Sequence, residues 1–300
     1  MKLLTSLLLL AALLAALPAA RAAAVEPQVV TIPYMERAAP HRAYADEVLA
    51  LALELSSERY GPYRIVRQTQ DTVIRRQLQE LDRGGSLSVA VAMPTQDWLA
   101  GALPVRVPLM RGITSFRLFL GMKDLQPLYE TVKTAGDLKA LTIGQGPGWS
   151  TAQILEGNGF KVVYGGAYPT LIPMLHTGRF QLLMRSIYEV EPELHAQQAA
   201  HPGLIMVDNF AVFTYTPMYF FVARDQPRLA ERLEYGLKRA YASGQHDRLI
   251  DRYFGDSLKL LKARRLRFIH VPNTNIDKSF FERDRPYLMD AVVTLERAAR

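Results

Sequence analysis

Three arginines and one glycine-rich turn hold most of the chemistry legible in this 300-residue sequence. A guanidinium group can grip a carboxylate or phosphate through two parallel hydrogen bonds. Arg111 and Arg117 lie in Leu103 to Met122, which alternates apolar and polar residues over two short extended runs, and Arg185 follows the apolar run Gln181 to Met184. Arg111, beside Gly112, is the favoured anion clamp. Arg185 and Glu189 are four apart, so a simple pair at a helix start competes with a ligand role. The turn reads Gly144-Gln145-Gly146-Pro147-Gly148-Trp149-Ser150. Glycines let a backbone approach a ligand, and free N–H groups at a helix start attract an anion, so Gln145, Gly146, Trp149 and Ser150 are candidate contacts. Tyr34 ends one expected strand and Thr95 sits at the edge of another, and they join these as cleft-edge candidates.

The elements around these residues read as two similar units. In the first, strands are expected at Val29 to Tyr34, Tyr63 to Arg67 and Leu87 to Met93. Helices are expected at Ala43 to Tyr60, which stops at Gly61-Pro62, and at Thr72 to Leu81. The second unit has strands ending at Ile143, over Phe160 to Tyr164 and over Gln181 to Met184, alternating with helices from Trp149 and over Thr170 to His176. Strand–helix alternation of this kind builds a parallel sheet that binds ligands beyond the carboxyl ends of its strands. Val132 to Leu138 is a capped turn, Val190 to Ala200 continues a helix, and Pro217 to Arg224 is a strand crossing back. Helices follow at Pro227 to Ser243, Asp247 to Phe254 and Ser257 to Ala263. Phe268 to Val271 is extended and leads into the turn-rich VPNTN, and a last helix covers Tyr287 to Arg300.

Catalytic patterns are thin. Cysteine is absent, and no G-x-S-x-G, H-E-x-x-H or Walker A pattern occurs. The six histidines lack metal-ligand spacing, so no metal and no cofactor is expected. Glu189, Glu191 and Glu193 alternate along a predicted helix, which would spread them over different faces. The G-x-G-x-x-G spacing of a dinucleotide turn is also missing. Net charge is +7, with a late cluster at Lys262-Ala263-Arg264-Arg265-Leu266-Arg267, and it reads as a solvated basic surface rather than a nucleic-acid interface. At the N-terminus, Lys2, the apolar Leu3 to Leu17 and the small residues around Ala22 form an export leader over 1–24, with an uncleaved anchor as the competing reading. The mature chain is expected to be soluble and monomeric in the periplasm.

Several stretches resemble the type II periplasmic solute-binding proteins of ABC importers, in particular the amino-acid-binding class. They are DLKALTIGQGPGW, YPTLIPMLHTGRFQLLM, YFFVARDQPRL and GLKRAYASGQHDRLIDRYFG, which span most of 28–255. The resemblance implies an α/β fold of two lobes, each a mostly parallel sheet flanked by helices, joined by two crossover strands. Residues 25–116 with 221–300 would form lobe one, and 117–220 lobe two. It also implies a small amino-acid-like or organic-anion solute trapped between the lobes, with a membrane permease or a sensor kinase as partner. Two departures stand out. Trp98 sits where such proteins carry a carboxylate-clamping arginine after T-x-x, and Gln181 replaces the acid of their second-lobe turn. Alternatives on the same scaffold are an enzyme resembling cyclohexadienyl dehydratases, with Glu189 as its acid, or a non-binding member acting through protein contacts.

Overall fold

The computed structural model describes residues 26–34, 40–70, 72–166, 168–263 and 266–298. The expected leader and the Arg264-Arg265 pair lie outside the described residues. β-Branched, apolar runs make the strands of lobe one: β1 (Gln28–Ile32), β2 (Tyr63–Arg67), β3 (Val89–Ala92) and the short β4 (Leu103–Pro104). The crossing strand β5 (Phe116–Met122) is buried throughout and leads to β6 (Thr142–Gln145), β7 (Lys161–Tyr164), β8 (Leu182–Ser186), β9 (Leu204–Met206) and β10 (Phe210–Phe213). The chain returns through β11 (Tyr219–Val222) and ends its strands with β12 (Arg267–His270).

Two lobes result. In lobe one, β1 and β2 pair in parallel, and β11 lies antiparallel between β3 and β4. In lobe two, seven strands form one sheet in the order β12-β10-β5-β8-β6-β7, with β9 on β5. That sheet is mixed rather than mostly parallel, because β5 runs antiparallel to β8, β9 and β10. The parallel pairs are β6–β7, β6–β8 and β10–β12. The C-terminal strand β12 therefore belongs to the sheet of lobe two, whereas the sequence reading places all of 221–300 in lobe one.

The helices that matter below are α1 (Pro40–Leu55), α2 (Ile74–Asp82), α3 (Gln96–Gly101), α4 (Ser150–Gly157), α5 (Tyr168–His176), α6 (Ile187–Gln197), α7 (Pro227–Ala242), α8 (Gln245–Ala263), α9 (Lys278–Asp284) and α10 (Asp290–Ala298). Helix α8 is continuous where two helices were expected: Gly255 costs helix stability but does not end a run whose apolar stripe continues through Leu258 and Leu260. Helix α9 was not anticipated. Its N-cap is Asp277, which accepts from the Ser279 N–H at 2.7 Å, and its apolar side is only Phe280-Phe281. The Tyr215 hydroxyl donates to Asp284 at the other end of α9 at 2.6 Å, so α9 is fastened to the returning crossover.

One apolar core runs from lobe one (Val48, Phe220, Leu233) into lobe two (Leu171, Leu183, Ile187), and a second fills the far side of the large sheet around Phe119, Ile143 and Val212. Helices α1 and α7 pack closely at Gly236, where an added methyl would overlap the Ala52 carbonyl. Gly236→Ala should therefore destabilise the fold by about 1–3 kcal/mol through overpacking, despite alanine's better helix propensity. A chemical-denaturation midpoint equal to or above the parent's would contradict this packing.

Candidate functional site

The carboxyl ends of β6 and β8 each deliver a helix start to the junction of the lobes. After β6 the turn 146–149 leads into α4. Trp149 folds back over Gly146, where any side chain would collide with the indole, so this glycine is required by the ring. After β8, Ser186 caps α6: its backbone N–H donates to Glu189 Oε2 at 2.8 Å in a capping box. The first residues of β5 lie between β8 and β10, with Arg117 opposite Ser186 on one side and Val212 on the other.

Arg117 is 5% exposed. Its Nη2 faces Thr216 Oγ1 at 3.4 Å and Met93 Sδ at 3.5 Å, and Nε is buried without a hydrogen-bond partner. Among the described residues no carboxylate forms an ion pair with it. Burial lowers its pKa, an effect Tyr188 and Glu189 oppose and Arg185 reinforces. A guanidinium stays charged in proteins, so this is a buried cation short of its usual complement of acceptors.

Arg185 has the opposite environment. It donates to Glu193 through Nε at 2.7 Å and through Nη2 at 2.5 Å, and to Glu189 Oε1 at 2.9 Å. The Trp149 and Tyr168 rings lie 4.9 and 5.0 Å from its guanidinium carbon. Burial would lower its pKa, but the two carboxylates outweigh burial and hold it above the ordinary value. For Glu189, burial pushes upward, and Arg185, His41 and Arg117 together keep it below the ordinary range. For Glu193, burial prevails and the pKa rises.

Lobe one closes over this arrangement. Ser150 Oγ lies 3.1 Å from Met93 Sδ, just beyond β3. His41, on α1, lies 5.6 Å from the Tyr188 ring of α6, and burial depresses its pKa and favours the neutral form. On the other flank, the segment 271–277 runs between the lobes. Asn275 Nδ2 donates to the Ser150 carbonyl at 3.0 Å, and the Asn275 carbonyl accepts from Gln96 Nε2, on α3, at 3.2 Å. Pro272 accepts from Asn158 at 2.8 Å, and Thr274 sits against Gly157.

The candidates from the sequence separate into two groups. Arg117, Trp149, Ser150, Arg185 and Glu189 come together, with Gly146 as the seat of the indole. Arg111 does not join them. It pairs with Asp247 at 2.6 Å, and its backbone carbonyl accepts from Met289 N, which holds it between α8 and α10 on lobe one. Among the described residues it is also the non-glycine residue with positive φ, at 49°. Arg111→Ala should leave solute affinity unchanged and cost at most about 1 kcal/mol, the usual worth of a half-exposed pair. A lost binding isotherm would return Arg111 to the site.

Gln145 is fully buried and spent within lobe two: its amide donates to the Gly144 carbonyl at 2.8 Å and its carbonyl accepts from Thr151 at 2.6 Å. Thr95 caps α3 by accepting from Trp98 N, and Trp98 is 6% exposed, its ring tilted 55° against that of Phe221 at 5.0 Å in the core of lobe one. The tryptophan that replaces the expected arginine is thus a packing residue. Tyr34 follows β1, half-buried. The sequence reading missed His41, Tyr168, Tyr188, Glu193 and Asn275. Glu193 was recoverable, since Glu189 and Glu193 are four apart and share a helix face. Among the described residues no cluster of potential ligands could hold a metal, and no helix is long and apolar enough to cross a membrane.

No protein-family model and no curated protein matches this sequence. Solved structures do. An ancestral arginine-binding protein bound to arginine is 15% identical, with a TM-score of 0.54 over 76% of this chain and 98% of its own. A structure from glutathione import and the cystine importer of Streptococcus mutans is 17% identical, with a TM-score of 0.55 over 77% and 96%. The arginine-specific periplasmic binding protein of Salmonella typhimurium is 13% identical, with a TM-score of 0.54 over 76% and 99%. These lengths are matched almost end to end at identities where only the backbone is shared. The chain has the two-lobed type II periplasmic-binding-protein fold, as the substrate-binding proteins of amino-acid ABC transporters do.

Proposed function

We propose that this chain captures a small carboxylate-bearing solute, amino-acid-like or an organic anion, between its two lobes. The observation that carries the proposal is Arg117: a buried guanidinium at the lobe junction with an unpartnered Nε and, among the described residues, no carboxylate of its own. An incoming carboxylate would supply the missing acceptors and make contacts in the closed arrangement that an open one lacks, which is the condition for a ligand to favour closure. Met93 and Thr216 touch Arg117, and Ser150 at the start of α4 touches Met93.

An export leader over 1–24, and neighbours that serve importers, support a periplasmic chain that hands its solute to a membrane permease or a sensor. In this reading lobe one is 25–116 with most of 221–300, and lobe two is 117–220 with β12. The enzyme alternative depends on Glu189 as a free acid. Its two oxygens are engaged by Arg185 and by the Ser186 N–H, which favours binding over catalysis.

The test is a thermal-shift screen of the chain without residues 1–24 against amino acids, small peptides, organic acids, polyamines and phosphate, followed by titration calorimetry. A melting temperature that rises with the concentration of carboxylate solutes, as linkage requires, is expected. A flat response to every carboxylate would refute solute capture and favour a role through protein contacts.

A further inference from the structure

We infer that Arg185 is a built-in occupant of a guanidinium subsite and thereby excludes solutes with a basic side chain from the cleft. Its surroundings are those a guanidinium ligand would need. Trp149 and Tyr168 present rings 4.9 and 5.0 Å from its central carbon, Glu193 takes its Nε and Nη2 in a two-point grip, and Glu189 takes Nη2 again. Two aromatic rings beside the guanidinium carbon and a carboxylate that takes both Nε and Nη2 fit a forked guanidinium and not an ammonium, which is a compact point charge. The pieces come from four elements: the turn before α4, the start of α5, the end of β8 and the first two turns of α6.

The subsite adjoins the junction of the lobes. Trp149 directly precedes Ser150, whose hydroxyl touches Met93. Glu189 acts electrostatically on Arg185, His41 and Arg117 together. A solute anchored at Arg117 could extend a side chain toward this position, and in the wild-type protein it meets a filled site. Solutes with neutral or acidic side chains remain admissible. The exclusion rests on the reading of Arg117 as the anion anchor, whereas the subsite itself does not.

Arg185→Ala tests both parts by calorimetry on the same chain used for the solute screen. The variant is expected to bind methylguanidinium saturably and methylammonium about tenfold more weakly or not at all, while wild type binds neither. L-Arginine should bind the variant about tenfold more tightly than methylguanidinium, because its carboxylate reaches Arg117, and Arg117→Met in the Arg185→Ala background should remove that advantage. Equal affinities for methylguanidinium and methylammonium, or methylguanidinium binding to wild type, would overturn the subsite. Equal affinities for L-arginine and methylguanidinium, or an advantage that survives Arg117→Met, would leave Arg185 a structural ion and overturn the exclusion.

Two unpaired carboxylates could prevent Arg185→Ala from folding. Arg185→Ala with Glu193→Gln leaves one, and carries the same comparisons. Folding of either variant restored by methylguanidinium but not by methylammonium also supports the subsite, and restoration by both equally refutes it. A variant that gains guanidinium binding in a protein whose wild type ignores every carboxylate would uphold the subsite and remove the proposed function, so the two failures are distinguishable.

Discussion

Arg117→Met is expected to weaken capture of a carboxylate solute by about 100-fold or more, while the melting temperature of the unliganded protein stays level or rises. The two halves of this result have one cause. Arg117 is a desolvated cation whose Nε has no acceptor, so in the unliganded protein it bears the cost of burial without the return of an ion pair. Methionine has comparable reach, brings no charge, and can pack against Met93 and Thr216. Charge-assisted bidentate bonds to a carboxylate are then lost on binding, and about 3 kcal/mol of such contact corresponds to the stated factor. Parallel calorimetry and thermal melts decide the matter. A large drop in melting temperature with affinity intact would make Arg117 a structural residue.

The second large effect lies far from the cleft, at Arg232. Its side chain is entirely buried, yet it donates to Ser56 Oγ at 3.1 Å, Gln28 Oε1 at 3.0 Å, the Leu53 carbonyl at 3.3 Å and the Gly61 carbonyl at 2.8 Å. Leu53 belongs to the last turn of α1, where the helix dipole favours a cation, and its carbonyl also accepts from Ser56 N, Ser56 Oγ and Ser57 Oγ. Arg232, from α7, therefore caps α1 from a neighbouring helix and fixes the Gly61 turn that leads to β2. Arg232→Leu should cost about 2–4 kcal/mol, since charge-assisted bonds to buried carbonyls are lost together. Arg232→Lys should recover part of this, because one ammonium cannot reach acceptors spread across a planar fork. Denaturation midpoints for the pair test the capping role, and identical losses for Leu and Lys would contradict it.

How much was legible beforehand follows from which forces act locally. The capped turn at 132–138 folds as a Thr134–Asp137 capping box before the short helix 135–139, because both partners lie within four residues. The glycine-rich turn and the order of strands are local in the same sense. The four-residue spacing of Arg185 and Glu189 set a pair beside a ligand role as competing readings, and the pair is there. What failed depended on long-range packing. Arg111 and Arg117 look alike in sequence. Only the fold brings Asp247 to the first, 136 residues away, and, among the described residues, leaves the second without an ion-paired acid. Gln145 looks like a ligand residue until Thr151 and the Gly144 carbonyl are seen to consume it. Strand β12 looks like a tail strand, and its pairing with β10 joins residues about 57 positions apart.

The segment 271–277 gives the molecule a property beyond site geometry. Two crossover strands alone would let the lobes swing about a line between them, like a book on its spine. Here β12 commits the chain to lobe two once more, and the following residues come back beside the returning crossover: Val271 N donates to the Phe213 carbonyl and Asn273 Nδ2 to the Tyr215 carbonyl, while Asn275 bonds to Ser150 on one side and to Gln96 on the other. The spine is therefore three segments thick, and a swing that separates Ser150 from Gln96 must break the Asn275 bonds.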